Sequence, residues 1–265
     1  MFRYLLLMAA PLTAADNTLT PEEKRAGWKL LFDGRTLAGW DLSAQSDAYT
    51  VADSALRSTP RPKFREDIAT KESFGDFELS FDWKVAPGSN SGVKYRTQAI
   101  GVVHPAFVPD TIKKFEHRLD YAFAHPQPRE KMPQDGRGEI YYVAFEYQVI
   151  DNTAHSDAKR SRKSQAGALY QLIAPTEDVV KGVGEWNAGR IVVRGSRVEH
   201  WLNGKKVVDA SLDDPAISAG LEARWTTQSP VYQFLTRRPK ARGPIVLQNH
   251  NDEAWYKNLK IRELK

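Results

Sequence analysis

Phe77-Glu78-Leu79-Ser80-Phe81-Asp82-Trp83-Lys84-Val85 alternates apolar and polar residues without a break. Successive side chains of an extended chain point to opposite faces, so Phe77, Leu79, Phe81, Trp83 and Val85 form one apolar face. Such a face belongs to an antiparallel strand with a core on one side and water on the other. Working outward, similar runs occupy 91–97, 141–150, 166–173, 190–194, 197–202, 206–210, 244–250 and 255–262. Asn203-Gly204, between two of these runs, is a hairpin signal, because both residues tolerate the positive φ of a type I′ turn.

Helical signals are few. Thr20-Pro21-Glu22-Glu23 reads as a capping box with Pro at the first helical position, and 211–225 reads as a second helix capped by Ser211 or Asp214. Two isolated helices among many strands do not make βαβ units. The expectation is an all-β, two-sheet sandwich. Residues 98–139 break the rhythm: Pro105, Pro109, Pro126, Pro128 and Pro133 exclude a central strand and predict a long surface excursion, either a lid or a decorated loop.

The chain has 265 residues, 41% of them hydrophobic, enough for a sizeable core. Its 38 basic and 33 acidic residues are interleaved, which argues against a nucleic-acid reader with its concentrated basic patch. Arg3, the apolar run from Tyr4 to Ala10 and the small residues Thr13, Ala14 and Ala15 have the layout of a short secretory signal. The expected division is a signal at 1–15 and one sandwich domain at 16–265, in the periplasm or the medium, with no membrane insertion after cleavage. Cysteine is absent, so thiol chemistry and disulfides are excluded.

No phosphate-cradling glycine loop, zinc-binding His-Glu-x-x-His or nucleophile elbow occurs, so any chemistry must be assembled from separated strands. A series of short motifs then appears in order. It runs through Trp28-Lys29-Leu30-Leu31-Phe32-Asp33-Gly34, Asn90-Ser91-Gly92-Val93-Lys94-Tyr95-Arg96, Phe145-Glu146-Tyr147-Gln148-Val149-Ile150-Asp151, His155-Ser156-Asp157-Ala158, Gly167-Ala168-Leu169-Tyr170, Gly184-Glu185-Trp186-Asn187 and Ile245-Val246-Leu247-Gln248-Asn249-His250. Together they resemble the 3-keto-disaccharide hydrolase family across nearly the whole mature chain. The departures are the 98–139 insertion and Asn249-His250-Asn251, where the family pattern is Asp-His-Gly. The resemblance implies a concanavalin-A-like jelly roll and cleavage of disaccharides or glycosides already oxidised at C3 of a glucosyl unit. A non-catalytic carbohydrate-binding module and a conventional glycoside hydrolase are the alternatives, since fold alone does not fix function.

A C3 ketone acidifies the C2 proton, so cleavage by elimination needs a base, cations or donors for the enolate oxygen and an acid for the leaving group. Glu146 and Gln148 share one strand face, opposite Phe145, Tyr147 and Val149. Lys94 and Arg96 alternate against Val93 and Tyr95 and offer cations, and His250 ends a strand beside Gln248 as a candidate acid or base. The expected catalytic set is Glu146, His250 and Lys94. The expected substrate contacts are Arg96, Gln148, Gln248, Tyr170 and Trp186, with Tyr95 and Trp225 as further stacking candidates. Asp151, His155 and Asp157 cluster in one turn and could hold a divalent cation, or could simply form Asx turns. His200 shares a face with Val198 and Leu202 and reads as a core histidine. A conventional glycosidase would need a second carboxylate near Glu146, with Glu199 and Asp151 as candidates.

Overall fold

The computed structural model describes residues 15–125, 138–237 and 242–264, with residues 115, 116 and 123 described by their backbone alone. The expected signal segment, up to residue 14, and Pro126, Pro128 and Pro133 lie outside the described residues. The elements in the first half are α1 (Pro21–Arg25), β1 (Lys29–Leu30), β2 (Trp40–Asp41), β3 (Tyr49–Ala52), β4 (Ala55–Ser58), β5 (Ile68–Thr70), β6 (Phe77–Val85), β7 (Asn90–Val103) and α2 (Phe115–Ala124). Then follow β8 (Gly138–Ile150), α3 (Ser156–Arg160), β9 (Asn187–Arg194), β10 (Arg197–Leu202), β11 (Lys205–Ser211), α4 (Pro215–Glu222), α5 (Pro230–Arg237), β12 (Val246–Leu247) and β13 (Ala254–Glu263).

Two antiparallel sheets face each other as a jelly-roll sandwich. One has the order β11-β10-β9-β6-β13-β4-β3, with β1 added on β13, and the other has the order β2-β5-β12-β7-β8. The alternation of β6 buries Phe77, Leu79, Phe81, Trp83 and Val85 against Val93, Tyr95, Phe145, Tyr147 and Val149 of the opposite sheet. Burial of these aromatic and branched side chains is the main force holding the layers together. The hairpin at Asn203-Gly204 has φ values of 49° and 81°, as a type I′ turn requires. Thr20 and Glu23 make both bonds of a capping box, and Asp214 caps α4 through the Ala216 N–H.

Three expectations need correction. Residues 166–173 form no strand, because Gly167 and Gln171 take positive φ and turn the chain twice, leaving single bridges at Leu169. Pairing in 244–250 shrinks to β12, since Pro244 has no N–H and the Asn249 N–H goes to the Asp67 carboxylate instead. The insertion is not all loop: Gln98 to Val103 continue β7, paired with Gly138 to Val143 of β8, before Pro105 opens a 3-10 turn and α2 follows. Helix α2 is tied back by Arg118 to the Val103 carbonyl and by Asp120 to the Ser229 hydroxyl. Helices α2, α3 and α5 lack strong sequence signals, and the five α-helices among the described residues exceed the two expected.

His200 lies between the sheets with no exposed surface, 3.0 Å from the Tyr95 hydroxyl and 3.0 Å from the Gly167 carbonyl. Burial pushes its imidazole down to about 4, against the opposing pull of the backbone bonds. The neutral ring is therefore part of the fold, whereas an unfolded chain takes up the proton below about 6.5. Stability should be lost as pH falls from that value toward 4. Melting temperatures across this window should decline for the wild-type protein and decline less for His200→Gln; equal slopes would remove His200 from the acid response.

Candidate active site

The outer face of the smaller sheet carries the polar partners of the core residues. Lys94 opposes Glu146 and Gly92 opposes Gln148 in the β7–β8 register, while Val246 of β12 pairs with Lys94 on the other side. Above this face is a cavity of about 430 Å³, walled by β7, β8, the 170–172 loop, α4, α5 and the loop carrying Gln248 and His250.

Glu146 is partly buried at its floor, and among the described residues no donor bonds its carboxylate. Its side chain leans across Gly92, where an added Cβ would sit 2.0 Å from Oε1. Glycine is therefore required at 92 for the carboxylate to lie on the sheet. Burial raises Glu146 to about 7, with Lys94 and Arg224 pulling down and Asp67 pushing up. Lys94 is almost fully buried, and its ammonium lies 2.7 Å from Asp67 and 5.3 Å from the centre of the Tyr141 ring. Burial opposes its charge, but the Asp67 and Glu146 carboxylates outweigh burial and hold Lys94 above its ordinary value. It is a fixed cation and not a proton carrier.

The remaining floor is an amide relay. Gln148 donates to the Asn90 side-chain oxygen at 2.7 Å, while its own buried Oε1 has no partner among the described residues. An orphaned buried acceptor facing a cavity invites a hydroxyl donor. The Gln248 N–H donates to the Gly92 carbonyl at 2.9 Å, the Tyr170 N–H donates to the Glu146 carbonyl at 3.0 Å, and both residues line the cavity. His250 stands exposed at the rim, with Nδ1 3.4 Å from Asp252, whose same oxygen accepts the Asn90 N–H. Asp67 also receives the Asn249 N–H at 3.0 Å, so one carboxylate fixes both Lys94 and the loop that bears His250.

The sequence pattern of the 3-keto-alpha-glucoside-1,2-lyase-like domain matches residues 27–262. The chain belongs to this family. It is 26% identical over 254 residues to a 3-keto-disaccharide hydrolase of Bacteroides thetaiotaomicron, covering 90% of this chain and 79% of that one. Two crystal structures of glycosyl hydrolase-type proteins from Parabacteroides distasonis share the fold. One has a TM-score of 0.68 at 23% identity, covering 95% of this chain and 100% of the other. The second has a TM-score of 0.56 at 24% identity, covering 89% and 99%.

Within this family member the expected residues divide. Glu146, Lys94, His250, Gln148, Gln248 and Tyr170 come together around the cavity. Arg96 does not: a bulge between Tyr95 and Gln98, with Arg96 at φ 54°, exchanges the two faces of β7. Its guanidinium turns to Asp76 at 2.9 Å and the Gly195 carbonyl at 3.0 Å, both at strand ends of the larger sheet. Trp186 also lies elsewhere, packed with Lys84 and Lys257 on the outside of the larger sheet, and Tyr95 is core. Asp151 is consumed by four donors, from Gly88, Thr153 (twice) and Ala154, as an Asx turn. Asp157 faces Arg160 at 3.2 Å. Those two do not join His155 in a cation site.

The structure instead sets His155 beside His250 and Asp252, one donor atom of each within 4.8 Å of the others. His155 Nδ1 accepts the Asp157 N–H at 3.1 Å, which leaves the proton of the neutral ring on Nε2 and occupies the lone pair a metal would use. This set fits a cation poorly. Asp67, Asn90, Tyr141 and Arg224 were missed by the sequence reading. Asn90 opens one of the family motifs, whereas Asp67 lies in no predicted element and Arg224 falls at the end of the predicted 211–225 helix with no mark of a role, and only the fold brings Arg224 to the cavity and Asp67 to Lys94.

In protein labelled with ¹³C at glutamate side-chain carboxyls, one resonance should titrate near pH 7 and vanish in Glu146→Gln. In Lys94→Met the same resonance should titrate higher, because the cation that favours the carboxylate is gone. A Glu146 resonance titrating with ordinary glutamates would refute the assigned environment.

Proposed function

We propose that this chain is a carbohydrate-active enzyme that cleaves the glycosidic bond of 3-keto-glucosides or 3-keto-disaccharides by elimination at C1–C2, followed by addition of water. The observation that carries this reading is Glu146: a carboxylate with no hydrogen-bond donor among the described residues, raised to about 7, beside a locked cation in a cavity of substrate size. Such a group matches a base for a carbon acid at neutral pH, since it is ionised in part yet still proton-hungry.

Glu146 takes the C2 proton, and the electron pair of that C–H bond moves toward the C3 ketone as an enolate. Lys94 and Arg224 supply positive charge for the oxygen. The enolate then re-forms the ketone, the C1–O bond breaks with its electron pair on the leaving oxygen, and His250 delivers a proton there. Water adding to C1 of the resulting enone completes a net hydrolysis. The unpaired Oε1 of Gln148 accepts from a sugar hydroxyl, and Tyr170 borders the ring.

Direct displacement by paired carboxylates has less support. Glu199 bonds Trp201 and Lys206 on the larger sheet, Asp151 is consumed by its turn, and among the described lining residues the other carboxylate, Glu139, is paired with Arg65. A binding module would not need a desolvated base above a buried cation.

Purified protein incubated with a 3-keto-glucoside and its unoxidised parent should cleave the former and leave the latter. Glu146→Gln and His250→Ala should each lower turnover by roughly 10²-fold or more, with melting temperatures nearly unchanged. Gly92→Ala, which displaces the carboxylate, should resemble Glu146→Gln. The wild-type kcat/KM should fall as pH drops below about 7, where Glu146 takes up a proton. Equal rates on both sugars would rule out elimination.

Export is part of the proposal. The first tertiary anchors among the described residues are Asp16, bonded to Lys257 and Asn258, and Asn17, bonded to Asn258 and the Ser54 carbonyl. A cut near Ala15 would leave all of them intact. N-terminal sequencing of protein recovered from the periplasm or medium should begin near Asp16; a cytosolic chain retaining Met1 would contradict export.

A further inference from the structure

The cavity has two unlike halves. Its sheet side carries Lys94, Glu146, Gln148, Gln248 and His250, the groups assigned above to the oxidised sugar. Gln171 and Arg118 also line the cavity, and its apolar wall is made by Leu172 of the 170–172 loop, Leu221 at the end of α4, Trp225 just beyond it, and Val231 and Leu235 of α5. Four of these five are buried in the fold, and α5 turns Val231, Phe234 and Leu235 inward. Gly220 also lines this side, where a Cβ would come within 3.0 Å of Leu172. The helix thus approaches the loop closely, and no side chain from 220 fills the space.

A second sugar ring in that half would bring a hydroxyl on nearly every carbon against aliphatic side chains and leave those hydroxyls without partners. An apolar ring has no hydroxyl to leave without a partner and would gain the burial of its own surface and of the exposed part of Leu172. Arg224 lies 5.0 Å from the centre of the Trp225 ring, which places a guanidinium at the boundary between the halves. We propose that the leaving-group half of this cavity is a subsite for an apolar, ring-bearing aglycone, so that the substrate is the 3-keto form of an aryl- or arylalkyl-type glucoside and not of a disaccharide. This rests on the elimination reading for the sugar half and adds the identity of what is expelled.

Benzyl glucoside is the suitable probe, because its benzylic oxygen is close in leaving ability to a sugar hydroxyl and chemical reactivity does not mimic recognition. The 3-keto forms of benzyl glucoside and of a glucosyl disaccharide with the same anomeric configuration would be compared. The expected result is at least a tenfold higher kcat/KM for the benzyl compound, carried mostly by KM, with that preference falling several-fold in Leu172→Asn. Equal or better cleavage of the disaccharide would overturn the inference while leaving the elimination reading standing. If neither ketone is cleaved, the elimination reading fails, and binding decides the subsite: unoxidised benzyl glucoside should bind at least tenfold more tightly than the parent disaccharide by calorimetry. Equal affinities there would overturn it.

Discussion

The Lys94–Asp67 ion pair, buried on the outer face of a β-sheet, is the constraint from which the rest of the site follows. An ammonium removed from water is tolerated only with a close counter-charge, and Asp67 supplies it at 2.7 Å. The same carboxylate holds the Asn249 backbone, so the pair fixes the loop that presents His250. Glu146 is then a second carboxylate near a cation already shared. Burial raises it, Lys94 only partly offsets that, and Asp67 adds repulsion. A carboxyl group that titrates near neutrality is thus the outcome of two acids and one lysine held out of bulk water.

Backbone irregularity divides the work between the two faces of β7. Before the bulge, Gly92 and Lys94 face the cavity while Val93 and Tyr95 face the core; after it, Ile100 and Val102 face the core. Arg96 sits at the switch, in a left-handed conformation that costs on the order of 1 kcal/mol or more for a non-glycine residue. Its contacts to Asp76 and Gly195 tie the smaller sheet to the larger. One extra residue therefore turns a potential ligand contact into an inter-sheet tie.

Where a strand has two unlike faces, its sequence was readable, and where structure depends on distant partners it was not. The nine residues of β6 and the six of β10 match their predicted bounds because alternation persists to both ends. Residues 166–173 looked like a strand by composition, yet two positive-φ residues make them a cavity wall. Glu146 and Gln148 were legible as one open face because a period of two is unambiguous in a paired strand. Arg96 followed the same rule and failed, since alternation carries no mark of a bulge. Nothing local marked Asp67 or Arg224 for the site, because one acts by pairing with a lysine and the other by its charge near a glutamate, both distant in sequence. The Asp151 turn was legible in both its readings, and counting its four donors decides for the turn.

The sandwich is a generic scaffold, and its core would hold with almost any polar residues on the outer face of the smaller sheet. What makes that face a candidate for chemistry is its cover. An uncovered carboxylate on a sheet surface is solvated, stays near its ordinary acidity and is a weak base toward carbon. The 170–172 loop, α4 and α5 bring Tyr170, Leu172, Leu221 and Trp225 over Glu146 and take it out of bulk water. These segments contribute few residues able to carry protons, yet they create the desolvation that is the largest influence on Glu146. On the proposed reading the same apolar side chains also meet the leaving group, so the strength of the base and the choice of aglycone would be coupled through one set of contacts. A change in the roof that admits a more polar leaving group also admits water, and a wetter Glu146 is a weaker base.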